Sequence, residues 1–550
     1  MHVQGALYES PGSLARLGCC RMRRMRHLGN VTRLIVAIVF AVALVACSSL
    51  RPDFVKQAST ALPPATDTPS ARYIAAELQR HPDQSGFRLL TKSTNALMSR
   101  IALADHARHS IDLQYYIFQN DATGRLLAQH LLAAADRGVR VRILLDDIKL
   151  SDEDRMLDAL DAHENIEVRL FNPYRTRDPS AFSKVAQFLL EGRRLNRRMH
   201  NKSFIADDIA AIIGGRNIGD GYFDASYDSN FRDLDLVAIG PVVSEASRVF
   251  DDYWNCDAAY PVTAFRNARD TQADLVRLRA ALARDARAFA QSDYAEAVLE
   301  ELPEGATADR FGEWFWGPAI VVADLPEKID VQGDAPELRI GPQLKAMIAA
   351  AHSEVLLVSP YFVPGKEGTH FLAGLTQRGV STQVLTNSLA STDEPAAHSG
   401  YARYRLPLLA GGVQLYELLP APGAAQPATA GGASSGVSLH AKAVVVDRAH
   451  VFIGSLNMDQ RSKLLNTEMG VIIDSEPLAR AVKQFFDSAI LPENAFHVAL
   501  QKSPGSGIAR MTWLWREGGK TLSRQSDPGA STMRRLEVQI MKLLPIEGLL

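Results

Sequence analysis

The stretches RMHNKSFIAD, Arg198–Asp207, and SLHAKAVVVD, Ser438–Asp447, hold the same three residue types at the same spacing. Each has a histidine, a lysine two positions on and an aspartate five positions after that: His200, Lys202 and Asp207, then His440, Lys442 and Asp447. The first runs on as DIAAIIGGRNIGD and the second as RAHVFIGSLNMDQ, which adds Gly214 with Asn217 and Gly454 with Asn457 at matching positions. A specified position agrees by chance about one time in twenty, so a match at this many positions in one register marks a repeat.

The repeat extends outward from the motifs. Residues 94–118 alternate between a helical pattern and the strand-like run SIDLQYYIF, and residues 342–363 follow the same plan. RGVRVRILLD, from Arg137, pairs with RGVSTQVLTN, from Arg378, and IEVRLFN pairs with VQLYELL. The rhythm is βαβ. An offset of 240 residues between His200 and His440 is far too long for a solenoid period, so a whole domain is duplicated.

Length and composition agree with this. A chain of 550 residues exceeds one ordinary core, and 47% hydrophobic with 22% charged residues is a globular composition. The formal net charge of −2 gives no overall basic footprint of the kind that nucleic-acid binders carry.

The N-terminus reads as a targeting segment. Arginines 16, 21, 23, 24, 26 and 33 precede the apolar run LIVAIVFAVALVA, Leu34–Ala46. Thirteen residues suit a signal-peptide core better than a membrane span, which needs about 20. LVAC resembles the lipobox of bacterial lipoproteins, which makes Cys47 the lipidated residue. An uncleaved membrane anchor is the alternative, and Met22 or Met25 are alternative starts. Removal of the signal takes Cys19 and Cys20 with it and leaves Cys256 as a free thiol. The expected placement is a lipoprotein of a bacterial cell envelope facing the periplasm, with inner and outer membrane left open.

The expected organisation is a signal peptide at 1–46, a lipidated cysteine and Ser/Thr/Pro-rich tether at 47–84, and a first α/β half at 85–261. A connector at 262–330 follows, then a second half at 331–500 and an extension at 501–550. The run from Pro420 to Gly436 is a flexible loop in front of the second motif. The connector holds Leu275, Leu278 and Leu282 at helical spacing and the aromatic cluster at Trp314 and Trp316. The apolar terminus LLPIEGLL is expected to dock on the core. No exposed apolar helix is expected, so lipid access falls to the acyl anchor or to loops.

The β-branched run after each histidine predicts a strand. Residues two apart in a strand share a face, so each histidine and its lysine point the same way. The aspartates have the opposite parity, which argues for a structural role at the following turn. An imidazole can attack phosphorus and carry the phosphoryl group, and a second can protonate the leaving alkoxide. Lysine and asparagine can hold the non-bridging oxygens. This set needs no metal or cofactor, and the sequence shows no Cys/His or carboxylate cluster to bind one. Asp233 and Glu468, at like positions in DLDLVAI and EMGVII, are the candidates to orient the histidines.

The pattern H-x-K-x4-D followed by G-G/S-x-N resembles the phospholipase D superfamily, in which two such motifs form one active site. The lipobox-like start, the paired motifs and the LLPIE tail resemble its cardiolipin synthase C branch. The resemblance implies two pseudo-twofold α/β halves, mixed sheets flanked by helices, that share an interfacial site. It implies a phosphatidyl transferase working through a phosphohistidine, with His200 as nucleophile and His440 as general acid, an order that is open to reversal. Lys202, Lys442, Asn217 and Asn457 would hold phosphate with help from Ser455, and Asp207 and Asp447 complete the motif's catalytic set. Gly215 stands where the second copy has Ser455. The implied partners are membrane phospholipids, phosphatidylglycerol or phosphatidylethanolamine, and no nucleic acid. Phospholipase D hydrolysis, a superfamily nuclease and a non-enzymatic lipid-binding lipoprotein are the alternatives.

Other residues near the motifs have two readings each. Arg193, Arg194, Arg197 and Arg198 either form a solvated face or touch a headgroup. Arg216 either faces substrate or does not. Tyr115, Tyr116, Tyr361 and Phe362 close the paired strands, and core packing is their ordinary role.

Overall fold

The structure, a computed structural model, describes residues 56–148, 154–174, 191–226, 228–265, 271–300, 313–331, 333, 335–420, 436–502, 509–544 and 548. All of these but Tyr174, Glu191 and Gly192 lie in one unit, Val55–Pro173 with Arg193–Leu550. The signal-peptide and Cys47 readings, and nearly all of the loop at 420–436, lie outside the described residues.

The strands of the first half are β1 (Ser85–Leu90), β2 (Ser110–Tyr115), β3 (Arg140–Asp146), β4 (Ile166–Phe171), β5 (Ser203–Ala206), β6 (Ala210–Gly214), β7 (Ser229–Arg232), β8 (Asp235–Ile239) and β9 (Ala259–Pro261). Between the repeats come β10 (Phe315–Gly317) and β11 (Ala319–Ala323). The second half has β12 (Glu354–Val358), β13 (Ser381–Asn387), β14 (Gln414–Leu418), β15 (Gly436–Leu439), β16 (Ala443–Val446), β17 (His450–Gly454) and β18 (Met469–Asp474). The chain closes with β19 (Ala495–Lys502), β20 (Ala509–Glu517) and β21 (Lys520–Arg524).

Among the described residues nineteen of these strands form two large sheets with the same inner order, and β15 pairs with β7 in a two-stranded sheet. The first is β10-β1-β8-β6-β5-β2-β3-β4-β9 and the second β11-β18-β17-β16-β12-β13-β14-β19-β20-β21. In each, three strands run parallel, β2-β3-β4 and β12-β13-β14, and the motif strands β5 and β16 add antiparallel beside them. The stretch between the repeats supplies one edge strand to each sheet, β10 to the first and β11 to the second.

Period-2 burial explains why the sheets face one another. In β6 Ala211 and Ile213 enter a shared central cluster while Ile212 packs outward under the first half's helices. In β17 Val451 and Ile453 enter the same cluster while Phe452 packs into the second half's own core. The helices Pro241–Asn255 and Glu476–Ala489 add Val243, Phe250, Val482 and Phe486 to the centre. The helices before β3 and β13 stop in the same way. Gly138 and Gly379 take φ of 89° and 87°, and the next residues, Val139 and Val380, donate back to Ala134 and Leu375.

Three expectations are corrected. His200–Lys202 and His440–Lys442 lie just before the strands and not in them, because β5 starts at Ser203 and β16 at Ala443. Leu543 and Leu544 of the C-terminal stretch are exposed and not docked on the core. The helix before them, Thr532–Met541, presents further exposed apolar side chains.

Candidate active site

Each motif is held by the other half. The residues before His440 form β15, which pairs in parallel with β7, and His440 N–H donates to Arg232 O at 2.7 Å. Met199 bridges Thr467 in parallel, and His200 N–H donates to Thr467 O at 2.8 Å. These pairings set each histidine beside the residue that follows its partner segment: Asp233 after Arg232, and Glu468 after Thr467.

The two imidazoles are oriented reciprocally. His200 Nδ1 lies 2.8 Å from Glu468 Oε2, and His440 Nδ1 lies 2.6 Å from Asp233 Oδ2. A carboxylate at Nδ1 selects the tautomer with the proton there and leaves Nε2 with a lone pair. Lys442 Nζ is 2.9 Å from the same Nδ1 of His440 and also donates to His440 O. With Nδ1–H given to Asp233, the carbonyl is the ammonium's acceptor. Lys202 does likewise, donating to His200 O at 2.7 Å. Tyr116 packs edge-on to His200 at 5.0 Å between ring centroids, and Tyr222 edge-on to His440 at 5.2 Å.

Burial sets the charges. It pushes His200 down to about 4 and His440 down to about 3, with the neighbouring lysines adding to the effect and the carboxylates opposing it. Both rings are therefore neutral in the ligand-free chain near pH 7. Burial also lowers Lys202 to about 7, helped by Lys442, and lowers Lys442 to about 8 against the pull of Asp233 and Glu468. Burial alone would raise Asp233 and Glu468, but the histidine partners and the lysines hold both below their ordinary values. Each lysine perturbs the histidine of the opposite half, so the four groups share one site. An entering phosphodiester anion raises all four and restores proton-donating capacity.

The halves differ at the orienting carboxylate, and the neighbouring residue explains why. Ser455 Oγ donates to Glu468 Oε2 at 2.5 Å and accepts from Met469 N–H at 3.0 Å. Ser462 Oγ donates to the other oxygen, Oε1, at 2.7 Å. In the first half a Cβ at Gly215 would come within 2.1 Å of Asp233 Oδ1. The short Asp233 needs that space, whereas the longer Glu468 reaches past Ser455. Ser455, a phosphate-contact candidate, thus spends its hydroxyl on Glu468 in the ligand-free chain. Asn217 is also engaged, accepting from Ile117 N–H at 3.3 Å and donating to Tyr222 Oη at 2.9 Å. Asn457 differs: its buried Oδ1 has no partner among the described residues, which leaves an amide end for a ligand or water.

Asp207 and Asp447 do not belong with the catalytic set, and that assignment is corrected. Asp207 is separated from Lys202 by β5, about 16 Å at strand rise. Its carboxylate accepts from the N–H groups of Arg108, His109 and Ser110, at the entry to β2. Asp447 accepts from His352, Ser353 and Glu354 N–H, at the entry to β12. Burial would raise Asp447, but these bonds hold it at about 2. Both sit in left-handed turns, φ 54° and 52°, and tie the motif strand to its antiparallel neighbour, β2 or β12.

Arg216, Arg198 and Arg197 resolve as structural. Arg216 is fully buried, donates to Leu90 O at 3.0 Å and Asp233 O at 2.7 Å, and so positions the Asp233 backbone and does not meet substrate. Arg198 is fully buried against Asp146 at 3.3 Å, and Arg197 donates to Ile329 O and Val331 O at 2.6 and 2.7 Å. Tyr115 is a core residue bonded by Arg100 at 3.0 Å, and Phe362 is likewise core. Trp316 stacks on His81 at 4.0 Å, and Trp314 lies under Arg88 at 4.2 Å.

Several residues of the site escaped the sequence reading. Asp146 accepts Met199 N–H at 2.9 Å, and Asn387 accepts Leu439 N–H at 2.8 Å, so each fixes the residue before a motif histidine. Both end matched strands of the repeat, RILLD and QVLTN, and that alignment was the available signal. Asp324 accepts Glu468 N–H at 2.8 Å and pairs with Lys328 at 2.7 Å. Tyr361 Oη donates to Asp393 at 2.8 Å; that carboxylate is walled by protein yet accessible, and its charge acts on Lys442. Tyr222, Phe231, whose ring lies 5.3 Å from that of His440, and Asp393 had no repeated partner to mark them. Among the described residues no group of three or more His, Cys, Asp or Glu is placed to hold a metal ion.

A family model described as "Cardiolipin synthase, PLD-like domain" matches residues 101–254 and 344–490, which contain both motifs. Cardiolipin synthase C of Escherichia coli (strain K12) is 40% identical over 478 residues, 86% of this chain and 97% of the relative. An uncharacterized protein of Helicobacter pylori (strain J99) is 35% identical over 493 residues, 88% of this chain and 93% of its own. In fold, the crystal structure of phosphatidylserine synthase from Haemophilus influenzae Rd KW20 aligns with a TM-score of 0.53 at 14% identity, over 87% of this chain and 100% of that one.

Proposed function

Because the chain belongs to the PLD-like cardiolipin synthase family, we propose that it transfers a phosphatidyl group from one membrane phospholipid to another and so forms cardiolipin. His200 Nε2 attacks the phosphorus of the first lipid and forms a P–N bond as the P–O bond to the headgroup alcohol breaks. His440, charged in the presence of the anionic diester, gives that alcohol its proton. The headgroup hydroxyl of a second lipid, phosphatidylglycerol, then attacks the phosphohistidine, gives its proton to His440 and releases His200. Lys202 and Lys442 hold the non-bridging oxygens, where fixed cations matter most in a dry site, while the free Oδ1 of Asn457 can accept from a headgroup hydroxyl or ammonium.

The observation that carries this reading is the reciprocal pair His200–Glu468 and His440–Asp233, each imidazole oriented by a carboxylate of the other half. The low exposure of both rings, 6% and 4%, favours a lipid hydroxyl over water as the acceptor. No helix among the described residues is long and apolar enough to cross a membrane. The LVAC motif supports a lipidated Cys47 as the proposed attachment, which holds the catalytic unit at a bacterial envelope membrane on its periplasmic side.

The test is incubation of the detergent-solubilised chain with labelled phosphatidylglycerol, with and without phosphatidylethanolamine, in the presence of a chelator, with products read by mass spectrometry. Cardiolipin is the expected product. Phosphatidic acid alone would make the protein a hydrolase, and no lipid product would defeat the reading.

A further inference from the structure

The two halves treat the space beyond their motif asparagines differently. Phe118 bridges Ile218 in the first half as Phe362 bridges Met458 in the second, so the chain leaves Asn217 and Asn457 along matching paths. Four residues further on the sequences part. At the repeat's offset of 240, Tyr222 and Phe223 correspond to Ser462 and Lys463. Both aromatic rings pack into the first half's core, and Tyr222 Oη receives the Asn217 amide at 2.9 Å. In the second half the matching place is a cavity of about 480 Å³, lined by Ser462 and Lys463 themselves, by Asn457, and by Leu344, Ile348, Phe362, Phe371 and Leu456. Asn217 uses both ends of its amide, whereas Asn457 keeps a buried Oδ1 with no partner. Cores hold few voids wider than a water molecule. A largely apolar cavity of several hundred Å³ with a few polar groups has the form of a ligand site.

The lining says what the cavity takes. Its charged side chains are engaged within the protein: Asp324 with Lys328 at 2.7 Å, Glu367 with Lys463 at 3.3 Å, and Arg339 with Gly333 O at 2.7 Å. Asp459 accepts from Ser462 N–H at 2.7 Å, and Lys345 lies over the Phe371 ring at 5.7 Å. What remains for a ligand is hydrocarbon surface, which favours an apolar chain. Position supplies the rest. Ser462 Oγ donates to Glu468, and the Asp459 charge acts on Lys442, so one wall of the cavity is the shell that supports the active site. A ligand with a phosphate at one end and hydrocarbon at the other matches that juxtaposition.

We propose that this cavity is an acyl-chain subsite: one fatty-acyl chain of the reacting phospholipid lies among Leu344, Ile348, Phe371 and Leu456 while its phosphate meets the paired histidines. In the first half Tyr222 and Phe223 occupy the matching space, so the subsite belongs to one half alone. The proposal rests on the lipid-transfer reading for its ligand, and its test separates the two.

The experiment uses the full chain in detergent and a phosphatidylglycerol that carries a photoactivatable diazirine midway along one acyl chain, with adducts mapped by peptide mass spectrometry. Adducts are expected within residues 341–348 or 362–372, and excess unlabelled phosphatidylglycerol should suppress them. A Cβ at Gly341, which lines the cavity, meets nothing within 4 Å, so Gly341→Phe enters the space without a clash at its root. That variant should lose most of the labelling. Its kcat/KM for long-chain over short-chain phosphatidylglycerol, both in the same micelles, should fall by about 10-fold or more, because each methylene kept out of the cavity forfeits its burial. Leu344→Phe should repeat both effects. The absence of adducts on these segments overturns the proposal, and is also the result if another part of the chain fills the cavity. Labelling that Gly341→Phe leaves unchanged overturns it too, as does equal labelling by a diazirine hydrocarbon without a phosphate. Competed adducts in a protein that turns over no lipid would keep the subsite and end the transferase reading. Cardiolipin formed without adducts would do the reverse.

Discussion

His200 Nδ1 lies 2.8 Å from Oε2 of Glu468, a residue 268 positions further along the chain. The mirror relationship, His440 to Asp233 at 2.6 Å, runs back across 207 positions. Neither half can prepare its own histidine, which is the physical reason for two copies in one polypeptide.

The reciprocal contact makes the orienting carboxylates as important as the rings. Glu468→Gln and Asp233→Asn should each lower turnover by about 10⁴-fold through the wrong tautomer. Glu468→Gln added to His200→Ala should cost nothing further, since the two act as a unit. Additive losses in that double-mutant comparison would show that Glu468 acts elsewhere.

The two histidines are assigned different steps. His440→Asn should slow turnover by about 10²–10⁴-fold while still accumulating a phosphatidyl adduct on His200, seen by peptide mass spectrometry. His200→Asn should give no adduct. An adduct on His440 in that variant would reverse the roles.

Gly215 is required by the length of Asp233. Gly215→Ser places a Cβ where Asp233 Oδ1 now sits, 2.1 Å away, and should displace the carboxylate and abolish most activity. Adding Asp233→Glu recreates the Ser455–Glu468 arrangement of the other half and should recover part of the loss. Steady-state rates of the single and double variants decide it.

Burial lowers Lys202 to about 7 and Lys442 to about 8 in the free protein. Phosphate binding needs their charged forms, so kcat/KM should fall as pH rises through 7 to 8, well below the ordinary lysine value of about 10.4. On the acid side the rate should hold until the nucleophile His200 protonates near 4. An alkaline limb only above about pH 10 would show that the site leaves its lysines at their ordinary value.

Asp207 and Asp447 are predicted to be stability residues. Asp447→Ala leaves three loop N–H groups without their acceptor and should cost about 1–3 kcal/mol in a denaturant titration. The surviving folded protein should keep its turnover within a few-fold. A loss of more than about 10²-fold with unchanged stability would return the aspartate to the reacting centre.

What the sequence determined was whatever recurs. The matched H-x-K and G-x-x-N positions, the paired strands from Arg137 and Arg378, and the like-placed Asp233 and Glu468 are all legible because duplication writes them twice. Strand parity set the aspartates apart from the lysines in the sequence, but the structure separates them by the length of the strand between them, since both lysines precede it. Only the tertiary structure decided the rest. That each carboxylate serves the opposite histidine depends on β15 meeting β7 and Met199 meeting Thr467, contacts between segments more than 200 residues apart that no local pattern encodes. Arg216 turned inward because Asp233 and Leu90 carbonyls receive it there. The exposed stripe at Met533–Leu543 has the spacing of an ordinary amphipathic helix, and the same spacing fits a buried face. Which side is left open follows from what Val538 and Arg534 find to pack against, and that is a property of the assembled fold.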